Sequence, residues 1–102
     1  MPIDIDLLTA WGGTSKIYKK GEIVFHEGDL PRCYYQIITG EVKMFTVNHE
    51  GKEFMQGIFS AGQSFGEPPL LINKPYPIAA TVLKETTIIR LAKDDFIKLL
   101  KE

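Results

Sequence analysis

Tyr34-Tyr35-Gln36-Ile37-Ile38-Thr39-Gly40-Glu41-Val42-Lys43-Met44-Phe45-Thr46-Val47-Asn48-His49-Glu50-Gly51 is the stretch that decides the fold. Residues 34–38 are apolar with almost no break, which suits a strand covered on both faces. Thr39-Gly40-Glu41 supplies a residue that tolerates positive φ, and so a reversal. Residues 41–47 form a second strand-like run that alternates less cleanly and leaves Lys43 for solvent. Asn48-His49-Glu50-Gly51 separates it from a third run over 52–59 and reads as a hairpin turn. The same texture continues outward from Lys16, in short runs of Ile, Val, Phe, Tyr and Thr. Glycines at 28, 40, 51 and 62 divide these runs every eleven or twelve residues, the spacing of strand-turn-strand units in a sandwich or barrel. The expected class is mainly β.

The flanks read differently. Ile3, Leu7, Leu8 and Trp11 fall at helical spacing before Gly12-Gly13, predicting one short amphipathic helix over an end of the core. Residues 86–91 read as a closing strand. Residues 93–102 begin a helix with Asp94 and Asp95 in its first turn and Phe96, Leu99 and Leu100 on one face. The expected organisation is a single domain over 1–102: an N-terminal helix within 1–12, a β-roll over 14–92 and the start of a C-terminal helix over 93–102.

With 102 residues the chain supports one modest core. Twelve basic against thirteen acidic residues give no general attraction to nucleic acid or an anionic membrane. Cys33 is the one cysteine, so there is no internal disulfide and no thiolate metal set, and a cytoplasmic location is expected. No apolar run reaches spanning length, so no membrane partner is expected. Catalytic residues and metal ligands are absent from the reading: there is no nucleophile-base pair or Walker-type loop, and His26 and His49 lack a second ligand at metal spacing. No cofactor is called for. Tyr34, Tyr35, Phe45, Phe54, Phe59 and Phe65 read as core and pocket wall, since no basic residues interleave with them.

Residues 62–82, GQSFGEPPLLINKPYPIAATV, have the layout of a small-anion pocket. Gly66 and Glu67 end a strand-like run, Pro68 and Pro69 open a short apolar turn of helix, and a strand resumes at Ala79. Proline at the first helical position wastes no hydrogen bond, so the remaining free N–H groups are expected to face an anion, with Glu67 beside them to accept from a hydroxyl.

Three motifs in order, Lys20-Gly21-Glu22-Ile23-Val24-Phe25-His26-Glu27-Gly28-Asp29, Tyr35-Gln36-Ile37-Ile38-Thr39-Gly40-Glu41-Val42 and Phe65-Gly66-Glu67, resemble the cyclic nucleotide-binding domain of the cAMP receptor protein and FNR class of bacterial regulators. The resemblance runs from Tyr18 to Leu100. It implies an antiparallel double-stranded β-helix, a jelly roll of eight strands with short flanking helices, serving signal sensing in transcription regulation. It also implies a ligand pocket at Phe65, Gly66, Glu67, Pro68, Pro69, Leu70, Ile78, Ala79, Ala80 and Thr81. In members that bind cAMP, the cassette glutamate holds the ribose 2′-hydroxyl, backbone N–H groups hold the phosphate, and an arginine pairs with it. Gly66 and Glu67 match, Ala79 and Ala80 match the small pair that lets the backbone approach, and Thr81 follows.

Ile78 stands where the arginine belongs. A buried charge-assisted partner contributes roughly 1.5–3 kcal/mol and an uncompensated anion costs more, enough to move a micromolar ligand toward millimolar. Lys74 and Arg90 are the cations within reach of a rescue, but neither occupies the matching position. Residues 74–77 lay two prolines and an aromatic across the mouth, as in FNR-like branches whose cassette has degenerated. Two readings stay open: a pocket that binds nothing, or one retuned to another small-molecule effector.

The family continues into a long dimerisation helix and a helix-turn-helix. The chain stops at Glu102, where that helix would begin, so a fragment of a longer regulator is expected, with DNA contacted only through a C-terminal domain not in this chain. Phe96, Leu99 and Leu100, with nothing after them to pack on, are expected to favour a homodimer. The alternative is a free-standing roll that docks another protein and takes no small molecule.

Overall fold

The structure, a computed structural model, describes residues 2–102. A helix α1 (Ile5–Ala10) precedes strands β1 (Thr14–Tyr18), β2 (Ile23–Phe25), β3 (Cys33–Thr39), β4 (Glu41–Val47), β5 (Glu53–Ser60) and β6 (Ser64–Phe65). Helix α2 (Glu67–Ile72), strands β7 (Ala79–Val82) and β8 (Thr86–Ala92) and helix α3 (Lys93–Leu100) complete the chain. Two four-stranded sheets run in the orders β1-β8-β3-β6 and β2-β7-β4-β5, with every pairing antiparallel. This is the mainly β architecture that the glycine spacing predicts and the jelly roll that the family resemblance implies.

Strand β3 lies inside its sheet and serves two cores, because successive side chains leave a strand on opposite faces. Ile37 points into the roll, in a cluster with Tyr18, Phe25, Val42, Phe65, Tyr76 and Ile88. Tyr34 points the other way, into a second cluster with Leu8, Leu70, Ile89, Leu91 and Phe96 that seats the helices. Strand β8 alternates likewise, Ile88 to one cluster and Ile89 and Leu91 to the other. The near-continuous apolar character of residues 34–38 is this double coverage.

Gln36 is 2% exposed and needs partners on that second face. Its Nε2 donates to the Ile3 carbonyl at 2.6 Å, while its Oε1 accepts from the Ile3 N–H at 2.8 Å and the Tyr34 hydroxyl at 2.6 Å. Ile3 is thereby clipped to the sheet before the helix begins. Asp4 then caps the helix by accepting from the Asp6 N–H. The helical stripe is therefore narrower than the sequence spacing predicts: Leu8 is buried, Ile3 lies outside the helix, and Leu7 is 45% exposed.

Three further expectations change. Lys43 is not left to solvent but lies over the β4–β5 hairpin, its Nζ 2.6 Å from Glu53 Oε2. Phe54, expected in the core, sits near the far end of that hairpin with an exposed ring. Phe96 and Leu99, expected as a free apolar face, are covered by the roll, with Phe96 stacked on Tyr34 at 4.4 Å between ring centroids. Of that face Leu100 alone stays exposed.

Gly40 makes the β3–β4 turn at φ 106°, and a Cβ there would lie 2.7 Å from the Thr86 Cα. The close approach lets Thr86 Oγ1 accept from the Glu41 N–H and donate to the Lys84 carbonyl. Gly40→Ala combines a backbone conformation that costs about 1–2 kcal/mol for an L side chain with displacement of a buried threonine. We expect it to lower unfolding free energy by about 3 kcal/mol in urea titration, whereas Gly28→Ala, with open space around its Cβ, loses about 1–2 kcal/mol.

Candidate functional site

The site begins where β6 runs into α2. Gly66 turns the chain at φ 80°, and a Cβ on it would meet Tyr76 Cε1 at 3.2 Å and Phe25 Cε2 at 3.3 Å. The helix starts at Glu67, so Pro68 and Pro69 occupy its second and third positions. That placement corrects the reading of Pro68 as the first helical residue. Free N–H groups at a helix start belong to the cap and the first three residues, and proline has none. Half of the donors that would face an anion here are therefore missing.

Helix α2 ends at Asn73, which takes a left-handed φ of 55°. The following loop was expected to lay Tyr76 across the pocket mouth, but it turns that side chain inward. The Tyr76 carbonyl accepts from the Gly28 N–H at 2.8 Å, and its N–H donates to the Asp29 carbonyl at 2.9 Å. Pinned this way, the ring lies face to face with Phe25, centroids 3.6 Å apart and planes 5° from parallel. It is 3% exposed, and its hydroxyl has no hydrogen-bond partner. Burial pushes the Tyr76 phenol pKa well above its ordinary value.

Pro75 and Pro77 remain on the outside and, with α2 and strands β4, β5 and β6, enclose a cavity of about 640 Å³. Of the residues predicted for the pocket, Phe65, Gly66, Glu67, Pro68, Pro69 and Ile78 line it. Leu70, Ala79, Ala80 and Thr81 do not. Leu70 is wholly buried in the helix-side core, Ala80 lies in the roll core, and Ala79 pairs with Phe45. Thr81 donates from Oγ1 to the Glu22 carbonyl. Alternation along β7 turns Thr81 away from the cavity side.

Of the aromatics read together as core and pocket wall, Phe59 and Phe65 line the cavity, which also takes in Met44, Ser64 and Ile72, none of them singled out from the sequence. Met44 was legible in principle, since it alternates with Val42 and Val42 pairs with Phe59. Ser64 matters chemically because its Oγ donates to Glu67 Oε2 at 2.7 Å. The Glu67 carboxylate is thus oriented by the strand that precedes its helix, and the residue is half-buried in the cavity lining.

Lys74 lines the cavity at its exposed rim, whereas Arg90 does not border it. Arg90 lies beside Tyr18 and Cys33 in the first sheet, where its charge partly offsets the effect of burial on their protons. Burial raises the Cys33 thiol pKa, the opposite of an activated nucleophile. The side chains of His26 and His49 are 72% and 91% exposed, and no three potential metal ligands cluster among the described residues. Nor is any helix among them long and apolar enough to cross a membrane.

The family model for the cyclic nucleotide-binding domain matches residues 15–102, and the chain belongs to that family. The cyclic AMP receptor protein of Thermus thermophilus is 26% identical over 100 residues, covering 98% of this chain and 46% of that protein. A cAMP-dependent protein kinase regulatory subunit of Emericella nidulans is 31% identical over 83 residues, covering 81% of this chain and 19% of its own length. Among solved structures, the Thermus thermophilus catabolite activator protein superposes with a TM-score of 0.85 at 26% identity, over 95% of this chain and 45% of that one. The sensor domain of the transcriptional regulator DNR from Pseudomonas aeruginosa gives 0.84 at 22% identity over 94% and 63%, a likeness of fold. The resemblance to the cAMP receptor protein and FNR class holds. The chain spans less than half the length of the receptor protein, and its relatives include regulatory proteins and, at 22% identity, a lysophospholipase of Aspergillus oryzae of which it spans 6%.

Two measurements follow from the buried phenols. Tyr76→Phe removes a hydroxyl that has lost water without gaining a partner, and we expect it to raise stability by about 1 kcal/mol, whereas Tyr76→Ala lowers it by about 3–4 kcal/mol. Burial pushes Tyr34 and Tyr35 from the ordinary 10.0 up to about 12, and raises Tyr18 and Tyr76 as well. The unfolded chain therefore releases phenolic protons that the folded chain keeps. Stability should be intact below pH about 10 and fall as pH rises toward about 12, with phenolate absorbance appearing together with unfolding.

Proposed function

We propose that this domain is the effector-sensing module of a transcriptional regulator of the cAMP receptor protein and FNR class, with a cassette that does not hold cAMP at physiological levels. The observation that carries this reading is the shortage of donors around the cavity. Ile78 replaces the arginine, Pro68 and Pro69 remove two N–H groups, and the remaining cation, Lys74, stands at the rim. A cyclic phosphate entering this site exchanges its water shell for carbon, which costs more than the remaining contacts return. We take the role to be non-catalytic, in keeping with the regulatory proteins among its relatives. We place the module in the cytoplasm, joined to a DNA-binding part beyond the residues present, since full-length relatives are more than twice as long.

Calorimetric titration of the domain with cAMP and cGMP, repeated on Ile78→Arg, tests the proposal. We expect no heat of binding up to millimolar nucleotide for the native chain and a gain of affinity for Ile78→Arg by about tenfold or more, as a charge-assisted partner is restored. Micromolar cAMP binding by the native chain would overturn the reading of the cassette. Silence in both chains would instead favour a roll that docks another protein.

A further inference from the structure

We propose that the cavity takes a flat, apolar carboxylic acid, its ring among the Phe59, Phe65 and proline walls and its carboxylate at Lys74 on the rim. The inference deepens the sensing reading and rests on it.

Three features point to this class of ligand. First, the walls are carbon: Met44, Phe59, Phe65, Ile72 and Ile78 join four prolines around about 640 Å³, a volume suited to a small organic molecule. Second, the walls are stiff. Proline fixes its own backbone, and the loop that carries Pro75 and Pro77 is anchored through Tyr76 to the Gly28–Asp29 backbone and the Phe25 ring. Rigid planar walls favour a rigid planar guest, because neither partner then loses many rotamers on binding.

Third, charge is unevenly placed. Glu67, its carboxylate held by Ser64 Oγ, is a half-buried part of the lining, whereas Lys74 lines the cavity from the exposed surface. An anionic group is repelled beside the half-buried Glu67 and attracted at the exposed Lys74, so an acid enters ring first. A sugar phosphate finds in Glu67 an acceptor for a hydroxyl but, with Ile78 in the wall, no cation beside it for the phosphate. The exposed setting of Lys74 makes its contribution modest, and apolar burial carries most of the affinity.

The test compares 2-naphthoate with the neutral isostere 2-naphthamide by calorimetry on the native domain and on variants. We expect naphthoate to bind with a dissociation constant on the order of 100 μM and naphthamide about threefold to tenfold more weakly. Lys74→Met should erase the difference by weakening naphthoate alone. Met44→Trp and Ile78→Trp, which fill the cavity from two walls, should abolish binding of both compounds while circular dichroism shows the roll intact. At least one must fold for the comparison to be read, and retention of binding by a folded filled variant would place the ligand elsewhere and overturn the proposal. Equal affinity for acid and amide, or no binding of either, overturns it as well. Failure with naphthoate alongside cAMP binding by the native chain or by Ile78→Arg leaves the sensing reading standing. Silence toward naphthoate and toward cAMP in both chains ends both.

Discussion

The stack of Tyr76 on Phe25 over Gly66 is the contact on which the site depends. It joins β2 of one sheet, the β6–α2 turn and the α2–β7 loop at one point, and it exists because Gly66 has no Cβ to part the rings. Aromatic faces this close and this parallel bring large buried area together with a defined orientation. Once Tyr76 is drawn inward, its proline neighbours are left on the outside, and the cavity acquires its stiff, donor-poor wall. The orphaned Tyr76 hydroxyl is the cost of using tyrosine where phenylalanine would pack.

The roll supports this arrangement through β3 and β8, whose alternate faces feed two separate clusters. One cluster fills the roll. The other fixes the helices against its outside, with Phe96 on Tyr34 and Leu8 and Leu70 around them. Leu70 therefore belongs to the anchoring of α2 and not to ligand contact. Since α2 carries Pro68 and Pro69 on one side and Leu70 on the other, the position of the cavity floor is set by packing on the face away from the ligand.

Much of the fold was legible because its signals are local. Glycines at turn spacing, the Asn48-to-Gly51 hairpin and the apolar run at 34–38 each follow from short-range chemistry, and each appears where expected. The turn from strand to short helix at Gly66 and Glu67 was legible as a motif, and both residues line the cavity. Failures came where long-range contacts decide direction. Whether Tyr76 lies across a mouth or inside a core depends on Phe25 and Gly28, some fifty residues earlier. The narrow apolar stripe of α1 depends on Gln36 seizing Ile3. Ala79, Ala80 and Thr81 follow one another in sequence, yet strand alternation turns Ala79 and Thr81 from the cavity side and Ala80 is closed into the roll core. The displacement of Pro68 by one helical position was a boundary matter, and either placement leaves two of the four N–H groups at the helix start missing.

The two backbone hydrogen bonds that tie residue 76 to residues 28 and 29 also constrain how the gene can change length. Surface loops ordinarily absorb an inserted or deleted residue at little cost. Residues 73–78 cannot, because any change in length moves the residue at 76 off its two partners and withdraws its ring from Phe25. Phe25, Gly66 and the length of this loop therefore constrain one another, and the cavity can change shape by substitution along its walls at less cost than by a change in the length of the loop.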